Sequence, residues 1–293
     1  MNPTGCWNWK RKHKIESISD WFYSGKILLQ KIPDEPISSL YAITAAVLEK
    51  PKSWVLAHQD CVIEPEKITQ LRNMVNELVL GKPLAYILGQ QSFFGQDFIV
   101  TPDTLIPRPE TELLVENAIQ WLTTQKKELS ICDVGTGSGC IAISIAKHSK
   151  NIRILAVDNS WKSILVAREN VKKHNLKNRV FLLVADLIQS IHSRFDLVCA
   201  NLPYIPTVKL NNLENLKFEP RSALDGGDDG LTHISRLINQ AKEKINTPGL
   251  ILLEFESEQS NAIDQLLKNK FPNQNCTVIH DYGNRPRLAR IAF

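Results

Sequence analysis

The sequence lacks several features that mark whole classes of protein. No stretch of its 293 residues approaches the roughly 18 consecutive apolar residues that a membrane-spanning helix needs. The N-terminal segment, residues 1–14, is basic and contains two Trp residues, but no apolar segment follows it as in a secretory signal. We expect this segment to be a solvated terminus. These absences predict a cytoplasmic protein without membrane association.

The cysteine pattern and the small net charge exclude further classes. The six Cys residues include no CxxC pair, and none has a His at zinc-finger spacing, so we expect no metal site. Lys and Arg total 35 against 31 for Asp and Glu, which gives a net charge of +4. Proteins that bind nucleic acid through many phosphates usually carry a stronger positive charge. We therefore expect no stable binding of nucleic acid.

The length and composition predict a folded protein of about two domains, with one large α/β domain as the alternative. Hydrophobic residues make up 43% of the chain and charged residues 23%, which is ordinary for a protein with a hydrophobic core. In residues 65–80 the apolar residues recur at helical spacing, at Ile68, Leu71, Val75 and Leu78. We expect residues 1–80 to form a small helical domain that docks the substrate.

After residue 80 the spacing of the apolar residues changes. From Gly81 to Pro107, aromatic and apolar residues alternate around Gly89 and Gly95, which predicts a β-hairpin. We assign residues 81–106 to a hairpin connector between two domains.

In residues 107–293, apolar runs of strand length alternate with helical segments. The runs lie at residues 129–135, 153–158, 180–186, 195–203 and 250–255. The helical segments begin near Gly139, Ser160 and Gly230 and again after Glu256, and a closing hairpin surrounds Gly283 and Asn284. This alternation predicts the α/β class, with a Rossmann-like, doubly wound and mostly parallel sheet that ends in an antiparallel hairpin.

The first predicted strand of this domain runs into a glycine-rich loop. Gly135, Gly137 and Gly139 alternate in the sequence DVGTGSGC, shortly after Asp133. Glycines let the backbone turn tightly and approach a ligand, and the next helix presents its N-terminus there. A dinucleotide-binding loop would have the pattern GxGxxG, but Cys140 replaces the third glycine. A carboxylate at Asp133 would repel a pyrophosphate and suits a cationic ligand such as the amino group of S-adenosylmethionine.

Two further acidic residues close the next two predicted strands. Asp158 can accept hydrogen bonds from two ribose hydroxyls, and Asp186 is placed to meet an adenine amino group. Each of them alone is as well explained by a turn or a helix cap. Three acidic residues at the ends of three successive strands, with the glycine loop on the first, favour a site for an adenosyl group.

The fourth predicted strand runs into Asn201, Leu202, Pro203 and Tyr204. By itself an Asn-x-Pro sequence is a strand terminator, but beside an adenosyl site it resembles the (Asn/Asp)-Pro-Pro-Tyr motif of methyltransferases that act on planar amino nitrogens. Such a nitrogen is a poor nucleophile because it shares its lone pair with a π system. The side-chain oxygen of Asn201 and a backbone carbonyl can accept its two hydrogens and turn the lone pair towards the methyl group. Tyr204 can pack its ring on the flat substrate group.

Five segments together resemble the release-factor glutamine methyltransferase family. They are GKPLAYILG (81–89), the hairpin around Phe93–Gly95, LIPRPETE (105–112), NLPYIP (201–206) and FEPRSALDGGDDGL (218–231). The resemblance covers residues 81–293 by motif and the N-terminal domain by layout only. The chain departs from the family at Leu202, which replaces a proline, and at Glu256, where the family tends to have a glycine. Pro203 still keeps Leu202 extended, so the backbone carbonyl at Leu202 is retained.

The resemblance implies an enzyme and a role for each site residue. Family members transfer a methyl group from S-adenosylmethionine to the side-chain amide of the Gln in the Gly-Gly-Gln motif of peptide chain release factors, leaving S-adenosylhomocysteine. By this resemblance Asn201, Pro203 and Tyr204 are catalytic, and together with Leu202 they bind the substrate Gln. The implied cofactor residues are Asp133, Gly135, Thr136, Gly137, Ser138, Gly139, Asp158, Asp186, Leu187 and Asn201. We expect a monomeric enzyme of translation termination that uses neither a metal nor a dedicated base.

Four alternatives remain open from the sequence. Two are related methyltransferases, acting on a ribosomal-protein glutamine or on the amino group of adenine or guanine in a nucleic acid. The third is a nucleotide-binding dehydrogenase, which the missing GxGxxG pattern disfavours. The fourth is a binding module without catalytic activity.

Overall fold

The structure is a computed structural model that describes residues 16–30, 32, 37–125 and 127–293, apart from the side chain of Asn215. The basic N-terminal segment, residues 1–14, lies outside the described residues. The chain divides between Leu88 and Gly89 into two compact units. Within the described ranges, no helix is both long enough and apolar enough to cross a membrane.

The first unit packs short helices around a hydrophobic core of its own. Its elements are β1 (Glu16–Ser17), α1 (Ile18–Leu29), α2 (Ser38–Leu48), α3 (Lys52–Ala57), β2 (Val62–Ile63), α4 (Pro65–Val79) and α5 (Leu84–Leu88). A capping box between Ser17 and Asp20 begins α1. The predicted apolar face of α4 is buried. Trp21 is also fully buried, and its indole N–H donates to the Thr44 hydroxyl at 3.0 Å.

The expected hairpin is shorter than the sequence pattern indicates. Residues Leu84–Leu88 form α5, so the expectation of extended structure from Gly81 onwards is wrong there. The Pro83 carbonyl accepts hydrogen bonds from the backbone N–H groups of Tyr86 and Ile87, which starts a helical turn. Leu and Ala are strong helix formers, and this preference outweighs the alternation of apolar residues.

The second unit begins with the hairpin and continues as an α/β fold. The hairpin consists of β3 (Gln90–Phe93) and β4 (Gln96–Ile99), which pair antiparallel. The later elements are α6 (Glu112–Thr123), β5 (Leu129–Val134), α7 (Cys140–His148), β6 (Ile152–Asp158), α8 (Trp161–Lys173), β7 (Val180–Val184), β8 (Phe195–Ala200), α9 (Thr207–Leu210), α10 (Thr232–Ala241), β9 (Ile245–Glu254), α11 (Ser260–Lys270), β10 (Asn275–His280) and β11 (Pro286–Ala292).

Seven strands form the central sheet in the order β10-β11-β9-β8-β5-β6-β7. Strands β9, β8, β5, β6 and β7 are parallel, and β10 and β11 close the sheet as an antiparallel hairpin. Hydrophobic clusters that include residues of α6 and α7 in one case, and of α10 and α11 in the other, lie against the sheet. The predicted α/β class, the doubly wound sheet and its closing hairpin are confirmed.

The order of the strands determines where a ligand site forms. Strand β5 pairs with β6 on one side and with β8 on the other, so the connections leave β5 in opposite directions. In sheets of this type a crevice opens outside the carboxyl ends of the strands at that point. Strands β7 and β8 end at Val184 and Ala200, earlier than the sequence predicts, so Asp186 and Asn201–Tyr204 belong to the loops that border the crevice.

Candidate active site

One cavity opens at the carboxyl ends of the parallel strands. It is lined by residues that follow β5, β6, β7 and β8, by the segment between β4 and α6, and by the long loop between α9 and α10. The predicted site residues among its lining are Gly135, Thr136, Gly137, Ser138, Asp158, Asp186, Leu187, Asn201, Leu202 and Pro203. Asp133, Gly139 and Tyr204 are not part of the lining. The structure therefore brings most of the predicted residues together at one cavity.

The glycine loop after β5 bends sharply and packs closely against the loop after β8. Gly135 has φ of +75°, a conformation that residues with a side chain rarely adopt. A Cβ atom on Gly135 would lie 2.9 Å from Cδ2 of Leu202. The backbone N–H groups of Gly135 and Thr136 both donate to the Val157 carbonyl at 2.9 Å, which ties the loop to β6. The loop needs a glycine at residue 135 for both its backbone angle and its packing.

Asp133 lies beneath the glycine loop. Its side chain is fully buried, and Oδ2 accepts hydrogen bonds from the Thr136 hydroxyl at 2.6 Å and from the Ala142 backbone N–H at 3.2 Å. Oδ1 is buried with no partner in the part of the chain that the structure describes. Burial raises the pKa of Asp133 to about 7, against the lowering effect of these two hydrogen bonds. Asp133 thus connects the start of the loop to the first turn of α7.

Asp158 ends β6 and does line the cavity. One oxygen of its carboxylate accepts from the Gly137 backbone N–H and the other from the Ser160 backbone N–H, both at 2.9 Å. Burial raises the pKa of this group, and the two hydrogen bonds oppose the shift. An acceptor-only group is thereby placed between the glycine loop and the start of α8.

Asp186 and Leu187 border the cavity after β7. Asp186 forms an ion pair with Arg236 at 2.6 Å, and 61% of its side chain is exposed. Leu187 is buried and has φ of +54°, so the backbone turns abruptly behind Asp186. The backbone N–H of Ile188 then donates to the Gln240 side chain at 3.0 Å, which connects this turn to α10.

The segment after β8 places Asn201 in the lining of the cavity. The side-chain Nδ2 of Asn201 donates to the Thr111 hydroxyl at 2.9 Å. Leu202 is buried against Gly135, and Pro203 lines the cavity. The Tyr204 backbone carbonyl accepts from the Gln259 side chain at 3.0 Å, and burial raises the pKa of the Tyr204 hydroxyl.

Comparison with known proteins identifies the family. A family model described as "Methyltransferase small domain" matches residues 109–216, and another described as "PrmC N-terminal domain" matches residues 20–89. A release factor glutamine methyltransferase from Geobacter sulfurreducens is 34% identical over 252 residues, which cover 85% of this chain and 86% of the relative. One from Coxiella burnetii is 39% identical over 223 residues, 76% of this chain and 79% of the relative. The chain belongs to the release factor glutamine methyltransferase family.

The fold agrees with this membership. The structure of an S-adenosylmethionine-dependent methyltransferase from Agrobacterium tumefaciens has the same fold, with a TM-score of 0.50 at 15% identity over 69% of each chain. By its membership of this family the chain is a methyltransferase that acts on a protein glutamine, and the expectations of family, fold and activity are confirmed. A dehydrogenase and a module without catalytic activity are excluded.

An ion pair joins the segment between β4 and α6 to the long loop between α9 and α10. The guanidinium of Arg108 donates to Oε1 of Glu219, whose side chain is only 3% exposed. Oε2 of Glu219 accepts from the Ile106 backbone N–H at 3.1 Å. Both residues lie within segments that resemble the family, LIPRPETE and FEPRSALDGGDDGL, but the sequence does not predict their pairing. Arg108 lines the cavity itself, and Glu219 holds it from behind.

Several residues at the cavity are absent from the sequence prediction. The cavity is also lined by Asp103, Leu105, Pro107, Thr111, Ser163 and His233. Behind the lining, the buried Asn170 of α8 donates to the carbonyls of Ile99 and Ser138, which connects β4 to the glycine loop. Among these, Leu105, Pro107 and Thr111 carry a signal, since they lie within the LIPRPETE segment. The other residues lie in no sequence motif that would mark them as part of a site.

Proposed function

We propose that the chain methylates the side-chain amide nitrogen of the Gln in the Gly-Gly-Gln motif of peptide chain release factors, with S-adenosylmethionine as methyl donor. The observation that carries this proposal is the shared cavity, which the glycine loop lines on one side and Asn201–Pro203 on the other. A donor held by the loop and an amide held by Asn201 would meet within it.

The residues on the β5 and β6 side fit an adenosyl cofactor. The backbone at Gly135 leaves no space for a Cβ atom, and the Asp158 carboxylate faces the same cavity as an acceptor for ribose hydroxyls. When bound, S-adenosylmethionine supplies an electrophilic methyl group on its sulfonium. We assign its binding to residues 135–139, Asp158, Asp186 and Leu187. We assign to Asp133 support of the loop from beneath, since its carboxylate is fully buried.

The residues after β8 can bind and orient the substrate amide nitrogen, which is the nucleophile. An amide nitrogen has two hydrogens, and Oδ1 of Asn201 and the backbone carbonyl of Leu202 can accept one each. With both hydrogens held, the nitrogen directs its lone pair at the methyl group, so orientation supplies much of the catalysis. Asn201 and Leu202 would thus hold the nitrogen towards the methyl group that bound S-adenosylmethionine would supply, and the methylated nitrogen would lose one of its two hydrogens to solvent as a proton. We assign Pro203 to holding Leu202 extended and Tyr204 to packing on the amide plane.

The other expectations complete the proposal. Residues 1–80 form the docking domain for the release factor, residues 81–106 the connector and residues 107–293 the catalytic domain. Helix α1 offers Tyr23 and Ile27, which are 74% and 51% exposed, one helical turn apart, as apolar contacts for a protein partner. The enzyme acts as a cytoplasmic monomer and binds no nucleic acid stably.

Mass spectrometry of the substrate tests this function. A purified release factor is incubated with the enzyme and S-adenosylmethionine, and the peptide that contains Gly-Gly-Gln is analysed before and after. We expect a gain of one methyl group on that Gln and none on a release factor whose motif Gln is replaced by Ala. Parallel reactions with ribosomal proteins and with rRNA use the same labelled cofactor. Label that enters only one of these, and not the release factor, would refute the proposal.

A further inference from the structure

The side-chain amide of Gln259 joins two segments that border the cavity. Gln259 ends a 3-10 turn after β9 and is not itself part of the cavity lining. Its Nε2 donates to the Tyr204 carbonyl at 3.0 Å and to the Asp229 carbonyl at 3.2 Å. Tyr204 directly follows the lining residues Asn201–Pro203, and Asp229 belongs to the long loop between α9 and α10. One amide therefore holds both segments from behind the cavity.

The neighbours of the Gln259 amide determine which way it faces. Oε1 of Gln259 accepts from the Glu256 backbone N–H at 3.1 Å. A carbonyl oxygen can only accept and a backbone N–H can only donate. An amide rotated by half a turn would place its oxygen against two carbonyl oxygens and its nitrogen against an N–H group. Both hydrogens of Nε2 are therefore committed to the carbonyls of Tyr204 and Asp229.

The turn that carries Gln259 is anchored at Glu256, the position at which the family tends to have a glycine. The Glu256 carboxylate accepts from the Ser257 backbone N–H at 3.1 Å and forms an ion pair with Arg287 of β11, also at 3.1 Å. The Arg287 side chain is only 13% exposed. The departure from the family thus ties the turn to the sheet and leaves the backbone N–H of Glu256 for Gln259.

The loop formed by residues 224–230 lies directly against the backbone at Tyr204. Gly230 has φ of +75°, and a Cβ atom on it would lie 2.2 Å from the Tyr204 carbonyl oxygen and 2.4 Å from Nε2 of Gln259. Only a glycine leaves room at residue 230 for the hydrogen bond between Gln259 and Tyr204.

The same loop also pairs with the residue after Tyr204. The Ile205 N–H donates to the Leu224 carbonyl at 3.0 Å, and the Ile205 carbonyl accepts from the Gly226 N–H at 2.8 Å. In the described part of the chain, residues 201–204 belong to neither a helix nor a strand. The position of their backbone therefore depends on contacts such as these and on the contact with Gln259.

We propose that Gln259 is a positioning residue that fixes the backbone after Pro203, so that the Leu202 carbonyl stays in place to accept a hydrogen from the target amide. The inference rests on the proposed function, in which Leu202 supplies that acceptor. Without the bond from Gln259 the Tyr204 carbonyl could move, and Pro203, whose φ is fixed by its ring, would carry the movement to Leu202. A displaced acceptor lowers the rate of transfer more than it lowers binding of the substrate.

The test compares Gln259→Glu with Gln259→Met. The first variant keeps an oxygen for the Glu256 N–H but places a second acceptor against the two carbonyls, whereas the second removes both functions and adds no charge. If Gln259 only capped the turn, Glu would replace it well, since Glu is favoured at this position of a capping box, and Met would be the more damaging change. Positioning through Nε2 gives the opposite order.

We expect Gln259→Glu to lower kcat for release-factor methylation about tenfold and Gln259→Met about threefold, with KM for the release factor and Kd for S-adenosylmethionine within about twofold of wild type. Asn261→Asp is the matched control, because it adds the same charge on an exposed side chain two residues further along, and it should turn over like wild type. A kcat for Gln259→Glu that equals or exceeds that of Gln259→Met, or that matches Asn261→Asp, overturns the inference.

Gly230→Ala provides a second measurement if Gln259→Glu does not fold. The new Cβ atom would separate Nε2 of Gln259 from the Tyr204 carbonyl, so we expect kcat to fall at least about tenfold with Kd for the cofactor little changed. Gly95→Ala is the control, since Gly95 also has a positive φ but no atom within 4 Å of the added Cβ atom. Equal kcat in the two glycine variants contradicts the inference.

The wild-type reaction separates this inference from the proposed function. If the wild type methylates the motif Gln and Gln259→Glu turns over like wild type, the proposed function stands and only the positioning by Gln259 is refuted. If the wild type methylates another protein glutamine instead, the proposed function is refuted, and the order of kcat among the Gln259 variants on that substrate decides the positioning role.

Discussion

The two sides of the cavity are built in different ways. On the β5 and β6 side, the contacts join residues close in sequence: Thr136 to Asp133 over 3 residues and Gly137 to Asp158 over 21. On the β8 and β9 side, they join distant segments: Asn201 to Thr111 over 90 residues and Arg108 to Glu219 over 111. The contacts made by Asp133 and Asp158 on the proposed cofactor side are thus short-range, with Asn170 as a long-range support behind the glycine loop, whereas those of the proposed substrate side join distant segments.

This difference has a consequence for variants. A change in the glycine loop acts on a segment whose shape is set largely by its own backbone angles and its hydrogen bonds to β6, so its effect should remain mainly in cofactor binding. A change on the substrate side acts on a side chain held by a remote partner, so its effect should appear in orientation and turnover. The following variants test that division.

The largest effect is expected for Asn201→Ala. Removal of the amide takes away the acceptor that orients the target nitrogen, and we expect methyl transfer to fall by at least about a hundredfold. Calorimetry should show cofactor binding largely intact, because the glycine loop and Asp158 are untouched. Turnover is measured with labelled cofactor and release factor. Turnover close to wild type would mean that Asn201 does not orient the substrate.

Gly135→Ala should weaken cofactor binding by at least about tenfold. The new Cβ atom would require φ of +75° and would lie 2.9 Å from the buried Leu202, so the glycine loop must shift. Gly95→Ala is the matched control, since Gly95 has φ of +68° but no atom within 4 Å of the place where a Cβ atom would lie. Both Kd values come from calorimetry. Equal binding by the two variants would contradict the close packing of the loop on Leu202.

The same division explains how far the sequence predicts the molecule. The sequence predicts Gly135 and Asp158 because each lies at the end of an apolar run of strand length, which is a local pattern. The pairing of Asn201 with Thr111 cannot, because it arises only when the segment before α6 folds against the end of β8. The prediction is wrong at α5 for a different reason. The alternation of apolar residues that predicts a strand continues across residues that form a short helix after Pro83.

Two buried acids, one on each side of the cavity, predict how stability changes with pH. Burial raises the pKa of Asp133 from 3.8 to about 7 and that of Glu254 from 4.5 to about 7. Glu254 is surrounded by Glu110, Glu256 and Arg287, of which the acids raise its pKa and Arg287 lowers it. Between about pH 4.5 and 7 the folded state therefore binds more protons than the unfolded state, so the free energy of unfolding falls as pH rises.

We expect Asp133→Asn and Glu254→Gln each to reduce this decline by about 1 kcal/mol per pH unit. Urea unfolding of the wild type and both variants across pH 4.5–7 measures it. Because burial raises the pKa of both acids to about 7, the two variants should reduce the pH dependence of the free energy of unfolding to a similar extent. A profile that neither variant changes would show that other groups control the pH dependence.

The smallest effect is expected for Glu219→Gln, which tests the wall of the cavity. The variant keeps an oxygen for the Ile106 N–H but removes the charge that holds Arg108. Because Arg108 is one-third exposed, water can replace part of the lost interaction. We therefore expect KM for the release factor to rise about threefold with kcat and cofactor Kd little changed. Glu214→Gln, an exposed acid of the same loop, is the control and should match wild type. A fall in kcat instead of a rise in KM would show that the ion pair helps to orient Asn201, through the segment before α6 that contains both Arg108 and Thr111. The ion pair would then act on the orientation of the substrate amide rather than on binding of the release factor.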